Sequence, residues 1–413
     1  MTNNKLIGKL LKFKGFVSTN IAFRKGNILE IAVKPYKNGC RCKVCGRRGK
    51  IVRTRPQTRS WRDIPVGGWS VWFLYYPREI HCASHGRGLE DIPWADEYSR
   101  VTYRYEYLML RYCQIMSQKA AAQLLRVSTS TLSDQLHGAI QRLRAGHRIR
   151  GLKTIGIDEI SYCKGHKYAT LVYDLDRSVV VWIGAGKGRE TIDRFFNEVL
   201  SDYQKQQIAN GCCDMSEAYI GAIKDHCPNA ILVLDRFHIV KALNSAVDAV
   251  RKEQWRGAGV DERKALKGLR WVLYRHSSTR SRKDTSTLKA LERANNRIYR
   301  AWRLKDEFEQ FWDYKATWAA ERFLKNWMTA ALRSRLEPMR KFVSTLRQHY
   351  DGVIAFIDTR LTNAVAEGIN RIVKIVKNRA SGFRTLSAFE DIIYLTVGDV
   401  DIPAQIPAKF RTL

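Results

Sequence analysis

Three carboxylates, far apart along the chain, have the residue types and settings of a metal-dependent phosphodiester enzyme. Asp158 and Asp214 each end a short apolar run that predicts a β-strand, and Glu367 opens a stretch that predicts a helix. Hard oxygen ligands of this kind hold Mg²⁺ (or Mn²⁺), and two such ions about 4 Å apart stabilise the attacking and leaving oxygens of an in-line displacement. Because three clustered carboxylates would repel one another without cations, the set predicts a catalytic site for two metal ions.

Two neighbouring acids offer alternatives to these assignments. Glu159 follows Asp158 directly, and adjacent side chains of a strand point to opposite faces, so only one of the two can enter the site. We assign Asp158 to the site. Glu217 lies close to Asp214 in sequence and is expected instead at the start of the next helix.

Asp235 and His238 form a D-x-x-H pair just after another predicted strand. We expect His238 to orient a scissile phosphate or a catalytic carboxylate, with Asp235 fixing its tautomer. The alternative is a histidine that simply packs at the end of a strand.

The charge of the whole chain indicates a polyanionic partner. The 413 residues include 72 Lys and Arg against 40 Asp and Glu, a net charge of +32, and nucleic acid is the first candidate for such a partner. A ribosomal or membrane-surface protein is the alternative, and the 45 % apolar content favours a packed enzyme over a basic tail. No apolar run reaches the ~18 residues of a membrane span and no signal peptide is evident, so we expect a cytoplasmic protein without a membrane partner or small-molecule substrate.

A basic run follows the glutamate. Arg371 and Lys374 come one and two helical turns after Glu367, which puts the three on one helix face, and Lys377 and Arg379 continue the run. The pattern predicts contacts to DNA phosphates. Solvated surface charge is the ordinary alternative.

The cysteines indicate a structural zinc site. Nine cysteines without the pattern of a small secreted domain should be reduced, and the clustered ones should bind metal. Two pairs near the N-terminus suit a tetrahedral zinc ion, and the expected ligands are Cys42, Cys45, Cys82 and His85. Cys40 and His81 are alternative ligands close by, and two chance pairs in a basic loop region remain the other interpretation.

A helix-turn-helix is predicted within residues 117–132. Ser117 can cap the first helix, Leu124 and Leu125 are expected to face inward, and Ser128 or Thr129 can cap the second helix. The second helix would then enter the major groove of DNA. The residues expected near base edges are Ser130, Thr131 and Asp134. An ordinary helical hairpin is the alternative.

The elements after residue 151 predict an α/β core that positions the carboxylates. Strands at 154–159, 167–175 and 178–183 form an antiparallel meander, followed by a helix at 191–200, a strand into Asp214, a helix at 217–226 and a strand at 230–234. The order β-β-β-α-β-α-β is that of a ribonuclease-H-like core. It places Asp158 on the first strand and Asp214 at the end of the fourth, next to it.

These features divide the chain into segments. The predicted segments are a zinc-binding, β-rich DNA-binding domain at 1–95, a helix-turn-helix domain at 96–150, the first part of the ribonuclease-H-like catalytic core at 151–240, an all-helical insertion at 241–355, and the second part of the core, with the glutamate helix, at 356–413. An insertion of this kind need not disturb the site, because loop closure costs little more for a longer loop.

Taken together, these motifs resemble bacterial insertion-sequence transposases of the DDE type, of the ISL3 class, over essentially the whole chain. Besides the cysteine pairs and the helix-turn-helix, the segments that carry the resemblance are 156–159, 214–219, 235–240, 363–370 and 377–384. The resemblance implies that Asp158, Asp214 and Glu367 are the catalytic metal-binding triad. The chain departs from the family at the second zinc pair, which is usually cysteine-rich and here is Cys82 with His85.

The resemblance also implies an activity and partners. The protein would bind the terminal inverted repeats of its insertion sequence, cut DNA with water, and join the resulting 3′-hydroxyl to target DNA, as a homodimer on double-stranded DNA at the bacterial nucleoid. One alternative is a domesticated sequence-specific DNA-binding protein without nuclease activity. Another is a sequence-tolerant nuclease or junction resolvase, which would not need two devices for reading a defined end.

Overall fold

The computed structural model of the protein describes residues 15–35, 40–145, 148–163, 165, 167–294 and 296–400. The chain forms two compact units, one of residues 1–147 with 376–413 and the other of residues 148–375. The helix Ala364–Arg379 contains the later boundary between them. Residues 376–400 therefore group with the N-terminal segment, although the sequence assigns them to the end of the core.

Two β-sheets form the first part of the N-terminal unit. The strands are β1 (Phe16–Arg24), β2 (Ile28–Pro35), β3 (Lys50–Thr54), β4 (Arg59–Val66), β5 (Trp69–Tyr75), β6 (Arg78–Cys82) and β7 (Gly86–Leu89). One sheet has the order β1-β2-β5-β4, with β2 and β5 parallel, and the other has the order β3-β6-β7. Fully buried Trp61 packs edge-on against Trp94 in the core of the larger sheet, with ring centroids 5.6 Å apart.

The helix-turn-helix follows in the same unit. Its helices are α1 (Tyr103–Ile115), α2 (Gln118–Leu125) and α3 (Thr129–Ala145), and the last helix described, α16 (Leu386–Val397), packs against α1 and α3. Ser117 caps α2 as predicted, accepting a hydrogen bond from the Ala120 amide at 3.2 Å. Of the two candidate caps for α3, Ser128 performs that role, with its hydroxyl 3.0 Å from the amide nitrogen of Thr131.

Leu124 corrects the predicted inward face of α2. Its side chain is 58 % exposed, whereas Leu125 is buried. The short helix buries the side that carries Ala121, Ala122 and Leu125, and Leu124 projects about a quarter turn or more away from that side. The sequence pattern of two adjacent leucines could not distinguish them, because only one of two consecutive helical residues needs to face the core.

A mixed five-stranded sheet forms the centre of the second unit. Its elements are β8 (Thr154–Cys163), β9 (Lys167–Asp174), β10 (Val179–Ala185), α4 (Arg189–Arg194), a π-helical turn (Phe195–Val199), α5 (Asp202–Gln207), β11 (Asn210–Cys213), α6 (Glu217–His226) and β12 (Ile231–Leu234). The strand order is β10-β9-β8-β11-β12. The antiparallel meander β8-β9-β10 is confirmed, and β8, β11 and β12 are parallel to one another.

Nine further α-helices are described between β12 and α16, together with two short 3-10 helices (Ser277–Thr279 and Gln310–Asp313). The α-helices are α7 (Arg236–Gly257), α8 (Val260–Leu266), α9 (Leu269–Tyr274), α10 (Arg282–Arg293), α11 (Arg297–Glu309), α12 (Thr317–Arg333), α13 (Glu337–Gln348), α14 (Tyr350–Thr359) and α15 (Ala364–Arg379). The stretch 240–355 is helical as predicted, and its core includes Trp302, Trp312 and Trp327. Among the helices described, none has both the length and the apolar character required to cross a bilayer.

Candidate active site and cysteine cluster

Three aspartates lie side by side on three neighbouring parallel strands, Asp214 and Asp235 directly after β11 and β12 and Asp158 in the middle of β8, which continues to Cys163 beyond its predicted end at residue 159. Ile157 of β8 pairs with Cys213 of β11, and Cys213 pairs with Leu234 of β12. The residue that follows each of these three is an aspartate: Asp158, Asp214 and Asp235. The predicted adjacency of Asp158 and Asp214 is confirmed by this register, which also brings Asp235 into the same row.

The register of β8 with β9 determines which face Asp158 occupies. Asp158 pairs with Leu171 and Gly156 pairs with Tyr173, so these side chains share one face of the sheet. Glu159 pairs with Thr170, whose hydroxyl lies 3.2 Å from the Tyr219 hydroxyl of α6.

Helix α15 lies over the face that carries Asp158. Asn370 of this helix contacts both Asp158 and Tyr173. The helix that carries Glu367 and the carboxylate of Asp158 are therefore on the same side of the sheet, whereas Glu159 faces α6.

Asp158 is held in a defined orientation. Its Oδ1 accepts a hydrogen bond from the Glu159 amide at 2.7 Å, and its Oδ2 accepts one from Nδ2 of Asn370 at 2.7 Å. Burial raises the pKa of this carboxyl, and the charges of Asp214 and Asp235 raise it further, while the Glu159 amide and His238 oppose the shift. A cation at this position would relieve the repulsion among these carboxylates.

Glu367 lies in the first turn of α15, where its amide donates to the carbonyl of Asn363 at 2.8 Å. Its side chain is exposed. Partial burial raises the pKa of Glu367 and Asp235 raises it further, while His238 and Lys374 lower it. Asp235 and His238 are thus electrostatic neighbours of both Asp158 and Glu367.

The Asp235–His238 pair is built into the start of α7. Buried Asp235 caps this helix by accepting from the Phe237 amide at 3.1 Å, and its other oxygen lies 2.8 Å from Nδ1 of His238. Because a carboxylate can only accept, Nδ1 carries the proton and Nε2 is the nitrogen left to face a ligand. The hydrogen bond to Asp235 raises the pKa of His238, and burial opposes that shift.

The donor set at the sheet edge fits hard divalent cations. Asp158, Asp214 and Glu367 offer carboxylate oxygens, the ligands that Mg²⁺ prefers. The oxygens of these three carboxylates do not all lie within 4.8 Å of one another. Among the residues described, the group of His, Cys, Asp or Glu ligand atoms that meets this distance is the N-terminal cysteine cluster. A pair of ions does not require such convergence, because its carboxylates are divided between two centres.

The cysteine cluster consists of Cys42, Cys45, Cys82 and His85. Its separations are 3.8 Å from Cys42 Sγ to His85 Nδ1, 3.6 Å from Cys45 Sγ to Cys82 Sγ, and 3.7 Å from Cys82 Sγ to His85 Nδ1. A tetrahedral zinc ion with ordinary bond lengths has ligand–ligand edges of about 3.5–3.8 Å. The four side chains are therefore compatible with zinc.

Local structure explains why these four side chains meet. Cys42 and Cys45 lie on a tight turn in which the Gly46 amide donates to the Cys42 carbonyl at 2.8 Å, and Gly46 has φ of 68°, which favours glycine. Cys82 ends β6. The hydrogen bond to His85 lowers the pKa of the Cys82 thiol to about 6, which favours the thiolate that binds metal.

The two alternative zinc ligands lie outside this cluster. The Cys40 thiol donates to the Gly49 carbonyl at 3.2 Å, and His81 is an exposed residue of β6 whose neighbours along the ladder are Lys50 and Arg87. The choice among nearby ligands, which the sequence left open, follows from the strand pairing and the turn.

The candidate DNA-binding residues have different surroundings. Ser130 and Thr131 are exposed at the start of α3, and their hydroxyls lie 2.9 and 2.8 Å from the Ser128 hydroxyl. Arg371 and Lys374 are exposed on α15, and Lys377 is half-buried.

Arg379 is engaged by the protein itself. Its guanidinium donates to the carbonyls of Gln114 at 2.9 Å and Cys113 at 3.4 Å, at the end of α1.

Sequence reasoning missed Asn370 and Tyr173. Asn370 follows Glu367 by one helical turn, a spacing that could have identified it as a residue of the same face. Tyr173 gave no comparable signal, because its role depends on the pairing of β9 with β8.

Comparisons with known proteins agree with these features. A family model described as "Transposase" matches residues 155–393, and one described as "Helix-turn-helix domain of transposase family ISL3" matches residues 90–139. The chain is 30 % identical over 398 residues to "Transposase for insertion sequence element IS1001" of Bordetella parapertussis, covering 94 % of this chain and 97 % of the relative. It is 25 % identical over 385 residues to "Transposase for insertion sequence element IS1557" of Mycobacterium tuberculosis, covering 86 % and 85 %.

A solved structure described as "Drosophila P element transposase strand transfer complex" has a TM-score of 0.37 and 11 % identity, covering 70 % of this chain and 90 % of that one, a likeness too weak to support an argument. The family models and the relative from Bordetella parapertussis carry the assignment. The chain therefore belongs to the ISL3 family of insertion-sequence transposases and is a DNA-binding transposase.

Proposed function

We propose that this transposase is a two-metal-ion enzyme of the DDE type, which recognises the terminal inverted repeats of its element, cuts DNA there and joins the ends to target DNA. The observation that carries the proposal is the placement of Asp158 and Asp214 side by side on paired strands, with the Glu367 helix over the Asp158 face. We also propose that the five-stranded sheet is a ribonuclease-H-like core, which its strand order β10-β9-β8-β11-β12 supports.

In the proposed site Asp158 would help to hold both ions, Asp214 would help to hold one of them and Glu367 the other. Bound Mg²⁺ or Mn²⁺ would lower the pKa of a water molecule and offset charge on the scissile phosphate. His238, whose Nδ1–H donates to Asp235, would in its protonated form also donate from Nε2 to a phosphate oxygen or a neighbouring carboxylate.

The reaction needs no covalent enzyme intermediate and no ATP. In the first step water attacks the phosphorus, the bond to the 3′ oxygen breaks and that oxygen leaves as a hydroxyl. In the second step this 3′-hydroxyl attacks a phosphodiester of the target strand and displaces its 3′ oxygen. In the joining step one phosphodiester bond breaks for each one formed, so the number of phosphodiester bonds does not change.

The N-terminal unit is proposed to read the DNA ends. A zinc ion on Cys42, Cys45, Cys82 and His85 would hold the β3-β6-β7 sheet to the turn at Gly46, and Ser130 and Thr131 would lie near base edges in the major groove. Because two ends must be held together for joining, we propose a homodimer on DNA, acting at the bacterial nucleoid in the cytoplasm.

The direct test of this function uses DNA that carries the sequences flanking the gene, incubated with the zinc-loaded protein and Mg²⁺ or Mn²⁺. Wild type should give strand-specific nicks at defined ends and joined products, whereas Glu367→Gln should bind the same DNA and give neither. Equal binding by both proteins without cutting by either would instead favour a DNA-binding protein that lacks nuclease activity.

The basic face of α15 gives a second prediction. Arg371→Gln and Lys374→Gln should each weaken binding to all DNA sequences alike and reduce the slope of log K against log salt by about 1, because each removes one phosphate contact. Binding measured between low and moderate salt gives the slope. Lys341→Gln, an exposed cation of α13, is the matched control and should leave the slope unchanged. An equal reduction of the salt slope in all three variants would show that α15 makes no phosphate contacts beyond those of other surface cations.

A further inference from the structure

Asn370 connects the helix of Glu367 to the strand of Asp158. It is buried, with 8 % exposure, and lies one helical turn after Glu367 on α15. Its Nδ2 is 2.7 Å from Oδ2 of Asp158, and its Oδ1 is 2.6 Å from the hydroxyl of Tyr173 on β9. Tyr173 is fully buried. The three side chains thus form a continuous chain of hydrogen bonds from β9, through α15, to β8.

The chemistry of these groups fixes the direction of each hydrogen bond. An ionised carboxylate only accepts, so the amide must turn its NH₂ toward Asp158. The amide oxygen is then left for Tyr173, whose hydroxyl keeps its proton because burial raises its pKa well above the usual value. Tyr173 therefore selects the one amide orientation that donates to Asp158.

A second close approach lies on the other side of Glu367. Asn363 is 1 % exposed, just before α15 begins, and a Cβ added at Gly156 would lie 3.2 Å from its Oδ1 and 2.8 Å from Leu175 Cδ2. The glycine, two residues before Asp158, thus permits the helix to come close to the strand. Contacts at Gly156 and at Asp158 together fix α15 over β8 on both sides of Glu367.

We propose that Asn370 is a positioning residue for the Asp158 carboxylate, and that Tyr173 acts through Asn370 by fixing the orientation of its amide. The proposal rests on the proposed function, in which Asp158 and Glu367 are metal ligands. Without Asn370, the hydrogen bond left to the Asp158 carboxylate from the described residues would be that from the Glu159 amide to Oδ1, and Oδ2 would lose a fixed direction. Partners that orient a metal ligand in this way commonly contribute about 10–100-fold to metal affinity.

The test measures Mn²⁺ affinity of the zinc-loaded, full-length protein without DNA, by electron paramagnetic resonance of unbound Mn²⁺. Asn370→Ala should raise the Mn²⁺ dissociation constant about 10–100-fold. Tyr173→Phe keeps the Asn370 amide but removes the hydroxyl that fixes its orientation, and should raise the Mn²⁺ dissociation constant about 3–10-fold. Asn378→Ala, an exposed asparagine of the same helix, should have no effect. Thermal unfolding of each metal-treated variant shows whether it is folded at the temperature of the titration.

The double variant distinguishes a relay from two separate structural defects. Because Tyr173 acts only through the amide, Asn370→Ala/Tyr173→Phe should bind Mn²⁺ no more weakly than Asn370→Ala alone, a non-additive result. The proposal would be overturned if the increase in the Mn²⁺ dissociation constant of the double variant equalled the product of the two single increases. Wild-type Mn²⁺ affinity in Asn370→Ala would overturn it as well.

Asp158→Asn separates this proposal from the proposed function. If Asp158→Asn loses Mn²⁺ binding and Asn370→Ala retains it, the relay is wrong and the metal site stands. If Asp158→Asn binds Mn²⁺ like wild type, Asp158 is not a ligand, and both proposals fail. Loss of affinity in Asp158→Asn and Asn370→Ala, with no effect of Asn378→Ala, is the expected pattern.

Discussion

Replacing Asp158 by Asn is expected to reduce DNA cleavage at least about 10³-fold, whereas Glu159→Gln should retain activity within about threefold of wild type. Ligands of catalytic ions are worth several kcal/mol of transition-state stabilisation, and each 1.4 kcal/mol is a factor of ten in rate. An asparagine keeps the shape of Asp158 but removes the charge that would bind the ions. The measurement is the initial rate of nicking at the element ends with saturating Mg²⁺.

Glu159 is a stringent control because it is the next residue on the same strand. It is paired with Thr170 and faces α6, on the side of the sheet away from the Glu367 helix. Both variants lose one negative charge, so a general electrostatic effect on DNA binding would appear in both. A larger loss in Glu159→Gln than in Asp158→Asn would mean that the catalytic face has been assigned to the wrong side of the sheet.

Removing zinc is expected to have the second large effect. Cys42→Ser should abolish stoichiometric zinc binding and weaken binding to the element ends about 100-fold or more, while binding to unrelated DNA persists through the net charge of +32. Structural zinc contributes about 10–16 kcal/mol to small zinc-bound domains. Buried apolar contacts of the β3-β6-β7 sheet are few, with Ile80 packed among the cysteines, so apolar burial contributes little to the stability of this sheet.

The matched control for this prediction is Cys40→Ser. Cys40 is as buried as Cys42 and Cys82, but its thiol donates to the Gly49 carbonyl and a serine hydroxyl can do the same. Zinc content, measured by release to a chromophoric chelator, should remain at one ion per chain in Cys40→Ser and fall to zero in Cys42→Ser. One ion retained in Cys42→Ser would show that the four side chains are not the ligands.

The helix-turn-helix illustrates what could be predicted locally and what could not. The cap at Ser117 was predictable because a capping hydroxyl bonds amides within the next turn. The choice between Ser128 and Thr129, and the exposure of Leu124, were not, because they depend on where α3 starts and on which side of α2 meets its neighbours.

The basic run after Glu367 shows the same limit. The sequence treats Arg371, Lys374, Lys377 and Arg379 alike, as cations on successive turns of one helix. The structure leaves Arg371 and Lys374 exposed, whereas the guanidinium of Arg379 binds the carbonyls of Gln114 and Cys113 at the end of α1. Their phosphate contacts remain predictions, and the salt dependence of binding tests the first two.

The sequence by itself determined the family, the order of strands and helices in the core, and the candidate residues for the chemistry, because these follow from periodicity, capping and motif spacing within short stretches of chain. Only the tertiary structure decided whether Asp158 or Glu159 faces the Glu367 helix, and which side chains orient the Asp158 carboxylate. Asn370 is 212 residues from Asp158 and 197 from Tyr173 along the chain. Such pairs meet through the register of β8 and β9 and the packing of α15 on their shared face, and a one-residue shift in that register would exchange the faces of Asp158 and Glu159.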